Sequence, residues 1–239
     1  AHVREMREVE QTADTLTFGA AVTYSELLPH LDQITPAFGD LLRRIGSRQI
    51  RNLGTVGGNL VTASPIGDTL PCLMALDASV MIRSSDTARS LAVSDFITGY
   101  RKTALMPGEF VESISIPVPT AGARFAAYKI SRRFDQDISA VVAAYLLCLD
   151  GGRVRELRAC YGGVGATTIR AVKLEQAVTG KAWTAETVAL GMAALAEDIS
   201  PMDDFRATAA YRNRVAANLL QRLHAETTDG DTPVRLEAL

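Results

Sequence analysis

Several things that would betray a protein's class are scarce in this chain of 239 residues. Cysteine occurs only at Cys72, Cys148 and Cys160, an odd count without C-x-x-C spacing. Each lies in an apolar segment, which excludes a disulfide scaffold and reads as buried, reduced thiols. No apolar run reaches the ~18 residues that cross a bilayer, and the start Ala1-His2-Val3-Arg4-Glu5 lacks the apolar stretch of a secretory signal. The expected compartment is the cytoplasm, with no membrane partner. Neither sign of charge prevails, with 25 Lys+Arg against 27 Asp+Glu. No broad basic field is left for nucleic acid or anionic lipid.

Missing chemistry narrows the field further. His2, His30 and His224 have no second ligand at i+4, so a metal site is not expected. Ser64-Pro65 lacks the glycines of a nucleophile elbow, which removes the Ser-His-Asp reading. No internal repeat is visible. The chain has no initiator Met and opens on a polar, Glu-rich stretch, so it reads as part of something longer.

What is present is an ordinary globular composition, 47% hydrophobic and 22% charged. At about 150 residues per domain it amounts to one large or two small domains. Alternation at 15–20 predicts a strand, and residues 23–31 a helix, with Thr23 as N-cap and Glu26 completing a capping box. Pro36 opens a helix to 45 with Phe38, Leu41, Leu42 and Ile45 on one face, stopped by Gly46. Residues 46–68 have no sustained period and read as a long shaped loop. A short helix at 69–76 and strands at 79–83, 88–93 and 110–117 follow, in an order suggesting a mixed sheet. Pro117, Pro119 and Gly122 mark a boundary.

Beyond it, strands are expected at 124–130, 139–149 and 153–161, with Asp150-Gly151-Gly152 as a hairpin turn. Helices are expected at 168–179, 184–197 and 203–225, with Trp183, Phe205 and Tyr211 filling the core. The fold class is α+β, divided into 1–121, 122–226 and a polar, mobile tail at 227–239.

The loop is where a site is expected, because long loops in compact domains usually carry function. Arg48-Gln49-Ile50-Arg51-Asn52-Leu53-Gly54-Thr55-Val56-Gly57-Gly58-Asn59-Leu60 combines tandem glycines with hydroxyl, amide and guanidinium donors. Without Cβ atoms at Gly57 and Gly58, backbone N–H groups can approach an anion closely. P-loop and Rossmann fingerprints both fail here. Asp68, after Ala63-Ser64-Pro65, suits a sugar hydroxyl or ring N–H, or else the N-cap of the next helix.

The stretch Gln49 to Leu60 with Ala63-Ser64-Pro65 and Asp68 closely resembles the second FAD-binding stretch of the molybdenum hydroxylase flavoprotein domains, those of the xanthine dehydrogenase type above all. Tyr100-Arg101-Lys102-Thr103, Lys129-Ile130-Ser131-Arg132-Arg133-Phe134-Asp135-Gln136-Asp137-Ile138 and Cys160-Tyr161-Gly162-Gly163-Val164 follow in the family's order. The resemblance spans nearly the whole chain and sits closer to bacterial than to animal members.

It implies the second subdomain of a PCMH/vanillyl-alcohol-oxidase-like FAD-binding domain, then an α+β domain like the C-terminal domain of CO dehydrogenase flavoproteins. The family's first FAD segment is expected to be missing, with roughly half of the FAD site present. The implied cofactor is FAD. Two 2Fe-2S clusters and molybdopterin would lie on other domains or subunits, NAD would be the electron acceptor, and the whole enzyme would be an oligomer. Its substrate would be hypoxanthine or xanthine, oxidised at the molybdenum centre.

By the same comparison, Ile45 and Gly46 approach the adenine half. The loop from Thr55 to Asn59, with Gly57 and Gly58, contacts the pyrophosphate and ribityl region, and Gly54 and Val61 are also expected to bind the cofactor. Thr62 and Asp68 bind near the sugar–phosphate or ribityl hydroxyls, and Val111 and Lys129 lie against the isoalloxazine. A lysine there would stabilise charge on the reduced ring; the alternative for Lys129 is a snorkelling strand-end side chain. Residues 131–137 match a mobile loop that helps select the acceptor, or else a solvated charge cluster. Alternative readings of the chain are the flavoprotein of a CO dehydrogenase, aldehyde oxidase or hydroxybenzoyl-CoA reductase, and a non-redox dinucleotide-binding interaction module.

Overall fold

The computed structural model describes residues 3–228. After a single 3-10 turn at Glu5–Arg7, β1 (Val9–Gln11) pairs antiparallel with β2 (Thr15–Gly19), whose Leu16 and Phe18 point into the core. The capping box forms as the sequence demands. Thr23 Oγ1 accepts from Glu26 N–H, and the Glu26 carboxylate accepts from Thr23 N–H, which starts α1 (Tyr24–Ile34). Pro36 takes the first position of α2 (Pro36–Arg43), where its missing N–H costs nothing.

The expected loop at 46–68 contains two short helices, α3 (Arg48–Arg51) and α4 (Val56–Thr62). Each begins at a hydroxyl N-cap, with Ser47 Oγ accepting from Ile50 N–H at 3.3 Å and Thr55 Oγ1 from Gly58 N–H at 2.9 Å. Tandem glycines in the first turn of α4 hide the helical period from any hydrophobicity pattern.

Next come α5 (Thr69–Ala75), β3 (Ser79–Arg83), β4 (Ala88–Ala92), α6 (Val93–Phe96), a minor ribbon of β5 (Ile97–Gly99) and β6 (Lys102–Thr103), and β7 (Phe110–Pro117). The sheet order is β1-β2-β7-β3-β4, and every pairing in it is antiparallel. The mixed sheet expected from element order is not found, because β7 inserts between β2 and β3 and opposes both.

The second half forms the sheet β11-β10-β9-β8 from β8 (Arg124–Ile130), β9 (Val141–Asp150), β10 (Arg153–Gly162) and β11 (Ile169–Arg170). Asp150 pairs with Arg153 across Gly151-Gly152, both at positive φ, as a two-residue hairpin requires. Residues 141–148 of β9 are buried without alternation. Val142, Ala144 and Leu146 join the core of the first half, while Val141, Ala143, Tyr145 and Leu147 face the helices. A strand covered on both faces has no reason to alternate, and this one cements the two halves.

Those helices are α7 (Val172–Val178), α8 (Ala185–Leu195) and α9 (Ala209–Thr228). The first expected helix loses its start to β11. The third begins six residues later than expected, because Asp204 Oδ1 takes Arg206 N–H and Ala207 N–H and Asp203 Oδ1 takes Ala209 N–H, which winds 203–208 into turns. At its other end α9 runs through the start of the expected tail, whose residues 229–239 lie outside the described residues, as does His2. Trp183 is buried as expected, but Phe205 is 77% exposed and Tyr211 48%. Phe205 sits in the turn under the Arg206 guanidinium, 4.3 Å from its ring, and Tyr211, near the start of α9, is half exposed beside Ile130 and Ala140. The three cysteines are free and buried, and burial pushes the Cys72 and Cys160 thiols up.

Buried Arg212 ties α9 to the sheet through Asp204 Oδ1 at 2.7 Å and the carbonyls of Ala140 and Gly163. Burial pushes the Asp204 carboxyl up, but the N–H groups of Ala207 and Arg206 and the Arg212 guanidinium outweigh it and hold the group at about 2. A depressed carboxylate adds stability above its unfolded value of 3.8, and loses it as pH falls towards 2. Asp204→Asn should therefore lower the thermal midpoint at pH 6 and leave it near wild type at pH 2, by circular dichroism.

Candidate functional site

A cleft of about 440 Å³ opens where the two halves meet. Its first wall is the stretch after α2, with Ile45, Gly46, Ser47, Ile50, Asn59, Ser64, Ile66, Gly67 and Asp68, and its second is Lys129, Gln136, Asp137 and Ile138. Apolar side chains thus alternate with amide, hydroxyl and charged groups, the combination that seats an organic ligand and fixes its orientation.

Lys129 and Asp68 form a buried ion pair there. Lys129 Nζ donates to Asp68 Oδ2 at 2.5 Å, with the two side chains 1% and 9% exposed. Ser139 Oγ donates to Asp68 Oδ1 at 2.5 Å, so both carboxylate oxygens are engaged. Asp68 therefore makes no side-chain cap on α5, where its backbone is already helical. Lys129 is no snorkelling strand end, since a buried ammonium must be paired. The Asp68 charge together with burial pushes the Tyr24 phenol up, burial being the larger cause.

The tandem glycines divide their roles. A Cβ on Gly57 would lie 2.5 Å from the Ala20 carbonyl oxygen, so this glycine exists to let α4 pack against backbone. A Cβ on Gly58 would meet only Thr55 Oγ1, at 3.1 Å, and the residue is exposed. Gly58 is the one that leaves room for something outside the chain. Asn59 Oδ1 accepts from Thr69 Oγ1 at 2.6 Å, which leaves its amide nitrogen as the donor available to the cleft.

Arg44, which sequence reasoning passed over, fixes the far wall. From the end of α2 it donates to the carbonyls of Lys129 (2.8 Å) and Phe134 (2.9 Å), and its guanidinium stacks 4.9 Å from the Phe134 ring centre. Asp137 accepts from Arg133 N–H at 2.9 Å, which holds its carboxyl below the ordinary range. The segment after β8 is a turn held by these hydrogen bonds, with residues 132–136 exposed.

Of the residues singled out in the sequence, Ile45, Gly46, Asn59, Asp68 and Lys129 line the cleft. Gly54, Thr55, Gly57, Gly58, Val61 and Thr62 form α4 and its entry without lining it. Gly54 packs under Tyr24, and Thr62 Oγ1 donates to Gly58 O at 2.8 Å. Val111 is buried in β7 within the first core and is not brought to the cleft. Ile50, Ser64, Gln136, Asp137 and Ile138 also line the cleft and stand within the quoted motifs without an individual role assigned, while Ser47, Ile66 and Gly67 adjoin those motifs. No cluster of metal-ligating side chains occurs among the described residues.

The family described as the FAD binding domain in molybdopterin dehydrogenase matches residues 1–119, and the CO dehydrogenase flavoprotein C-terminal domain matches residues 126–227. The chain belongs to the flavoprotein family of the molybdenum hydroxylases. It is 35% identical over 229 residues to a xanthine dehydrogenase/oxidase of Gallus gallus, covering 87% of this chain but 17% of that protein. With the glyceraldehyde dehydrogenase medium chain of Sulfolobus acidocaldarius it shares 29% identity, over 94% of this chain and 80% of the other. The carbon monoxide dehydrogenase of Hydrogenophaga pseudoflava superposes with a TM-score of 0.87 at 26% identity, over 92% of this chain and 77% of that one. The chain thus spans about a fifth or less of the xanthine dehydrogenases it matches. The expected fold, an FAD-binding part followed by a CO-dehydrogenase-type C-terminal domain, is the observed one.

The cleft's donor set fits FAD. A hydrogen-bonding rim of Asn59, Ser64, Gln136 and the Asp68–Lys129 pair suits a cofactor with hydroxyls and polar ring edges, and the isoleucines suit its ring faces. Its volume accommodates part of the molecule.

The glycine roles give a direct test. Gly57→Ala should cost about 1–3 kcal/mol, because a carbonyl cannot move aside. Gly58→Ala should cost clearly less, because its Cβ meets only the Thr55 hydroxyl and the gain in helix propensity offsets that contact. Urea denaturation of both variants measures the difference, and equal losses would contradict the assignment.

Proposed function

We propose that this chain is the FAD-binding part of a xanthine-dehydrogenase-like molybdenum hydroxylase, within an enzyme whose other domains or subunits carry two 2Fe-2S clusters and molybdopterin. The observation that carries the reading is the cleft itself, a buried Asp68–Lys129 pair between two halves that each match a flavoprotein family. The similarity to xanthine dehydrogenases at 35% and 31% identity supports the choice of enzyme. When bound there, FAD would supply the redox chemistry, linking electron delivery from the iron–sulfur clusters to hydride transfer to NAD.

The chain's own residues bind, orient and shield. Gly58 leaves α4 approachable on the side where the pyrophosphate and ribityl chain are assigned. Asn59 offers an amide N–H, and the isoleucines at 45, 50, 66 and 138 exclude water from the ring faces. Lys129 presents positive charge, while Asp68 and Ser139 fix where that charge sits and moderate it. A moderated, immobile cation gives an electrostatic bias that needs no rearrangement as negative charge arrives.

The reading is tested in two steps. Gly58→Val should fold, because inside the chain its Cβ meets only the Thr55 hydroxyl, yet weaken FAD binding at least about tenfold, the equivalent of 1.4 kcal/mol. Flavin fluorescence titration against wild type reads this directly, and unchanged affinity would remove Gly58 from the site. The whole enzyme should reduce NAD with xanthine as donor. The likeness to carbon monoxide dehydrogenase supports a second reading, a flavoprotein serving another molybdenum substrate. Turnover with an aldehyde or carbon monoxide but not xanthine would favour it.

A further inference from the structure

A second cleft lies on the other side of the segment that follows β8. It encloses about 330 Å³ and is lined by Ile130, Ser131, Arg132, Ala140, Arg206, Ala207 and Tyr211. Lys129 and Ile130 are neighbours on one strand, so their side chains leave it on opposite faces, one to each cleft. The flavin cleft takes Gln136, Asp137 and Ile138 from this segment, and the second cleft takes Ser131 and Arg132.

The chemistry of the second cleft is cationic. Arg132 is held in place by the carbonyls of Phe205 (2.6 Å) and Arg206 (3.2 Å), and no carboxylate lies within ion-pair distance of it among the described residues. Carbonyl partners fix a guanidinium without neutralising it. Arg206 shares Asp204 with Arg212, at 3.4 and 2.7 Å, so one carboxylate serves two guanidinium groups. The adjoining acid, Asp203, is held by Ala209 N–H and keeps its charge, so three guanidinium groups stand against two carboxylates and the balance is positive. Behind the wall that Ala140 forms, Arg212 is 2% exposed, donates to Ala140 O, and has an Nε without a hydrogen-bond partner. Tyr211 adds a phenol hydroxyl, and Ile130, Ala140 and Ala207 make the rest of the lining apolar.

We infer that this second cleft binds a phosphoryl group, free or carried on a nucleoside. Guanidinium groups match phosphate oxygens in geometry as well as charge, and an apolar floor strengthens each contact by excluding water. Its volume leaves room for a ring or sugar attached to the phosphate. Occupancy draws on Arg132, and so on the segment that also walls the flavin cleft. The inference is independent of the flavin assignment, because its test uses no flavin and reads residues outside that cleft.

The 239-residue chain is labelled with ¹⁵N and titrated with sodium phosphate, and separately with adenosine 5′-monophosphate, with sodium chloride keeping ionic strength constant. Saturable shifts centred on Arg132, Arg206 and Tyr211 are expected. Arg132→Gln, a change at an exposed position, should weaken binding at least tenfold while leaving the rest of the spectrum unmoved. Tyr211→Phe, which keeps the wall, should weaken it less. Tighter binding of the nucleotide than of orthophosphate assigns the site to nucleoside phosphates, and equal or weaker binding assigns it to the free anion. Shifts that do not saturate, that centre on Asn59 and Ser64 alone, or that persist in Arg132→Gln would overturn the inference.

Discussion

Asp68 and Lys129 lie 61 residues apart, one at the start of α5 and the other near the end of β8, and the site depends on their meeting. Removing an ammonium and a carboxylate from water costs several kcal/mol each, and only close pairing with every remaining lone pair occupied offsets that cost. Ser139 supplies the additional hydrogen bond. Because the partners come from different halves, the pair also fixes where the halves sit relative to each other. A cleft wall made of residues from both therefore has a defined shape.

Packing reinforces that constraint from the other side. The unalternating burial of β9 turns one strand into the shared wall of two cores. Arg44 adds a polar crosslink, reaching from α2 to backbone carbonyls at the end of β8 and in the following turn. Apolar burial thus sets the overall docking, while hydrogen bonds to fixed carbonyls set the local geometry. The hydrogen bonds matter most near the cleft, where apolar contacts alone would allow sliding.

Much of this was legible in the chain. Local chemistry such as the Thr23–Glu26 capping box, Pro36 at a helix start and the Gly151-Gly152 turn is written in adjacent residues and came out as read. The family resemblance pointed to Asp68 and Lys129, which the fold brings together in one cleft. What could not be read were pairings decided in three dimensions: Ser139 with Asp68, Arg44 with the turn after β8, and the insertion of β7 between β2 and β3. The helices hidden in the glycine-rich stretch were missed because two of their first-turn residues carry no side chain to give a period. Val111, assigned to the ligand by analogy, is held by this fold in the first core, a placement that rests on strand pairing rather than on anything written in its neighbours.

A double-mutant cycle on Asp68→Asn and Lys129→Met, read by denaturant unfolding and by FAD affinity, tests the central claim most directly. Each single variant should lose about 3–5 kcal/mol of stability, because it strands a buried partner. The double variant should recover much of that stability while still binding FAD weakly, since the cleft's fixed charge is gone. Additive losses in stability, or wild-type FAD affinity in the double variant, would contradict the account.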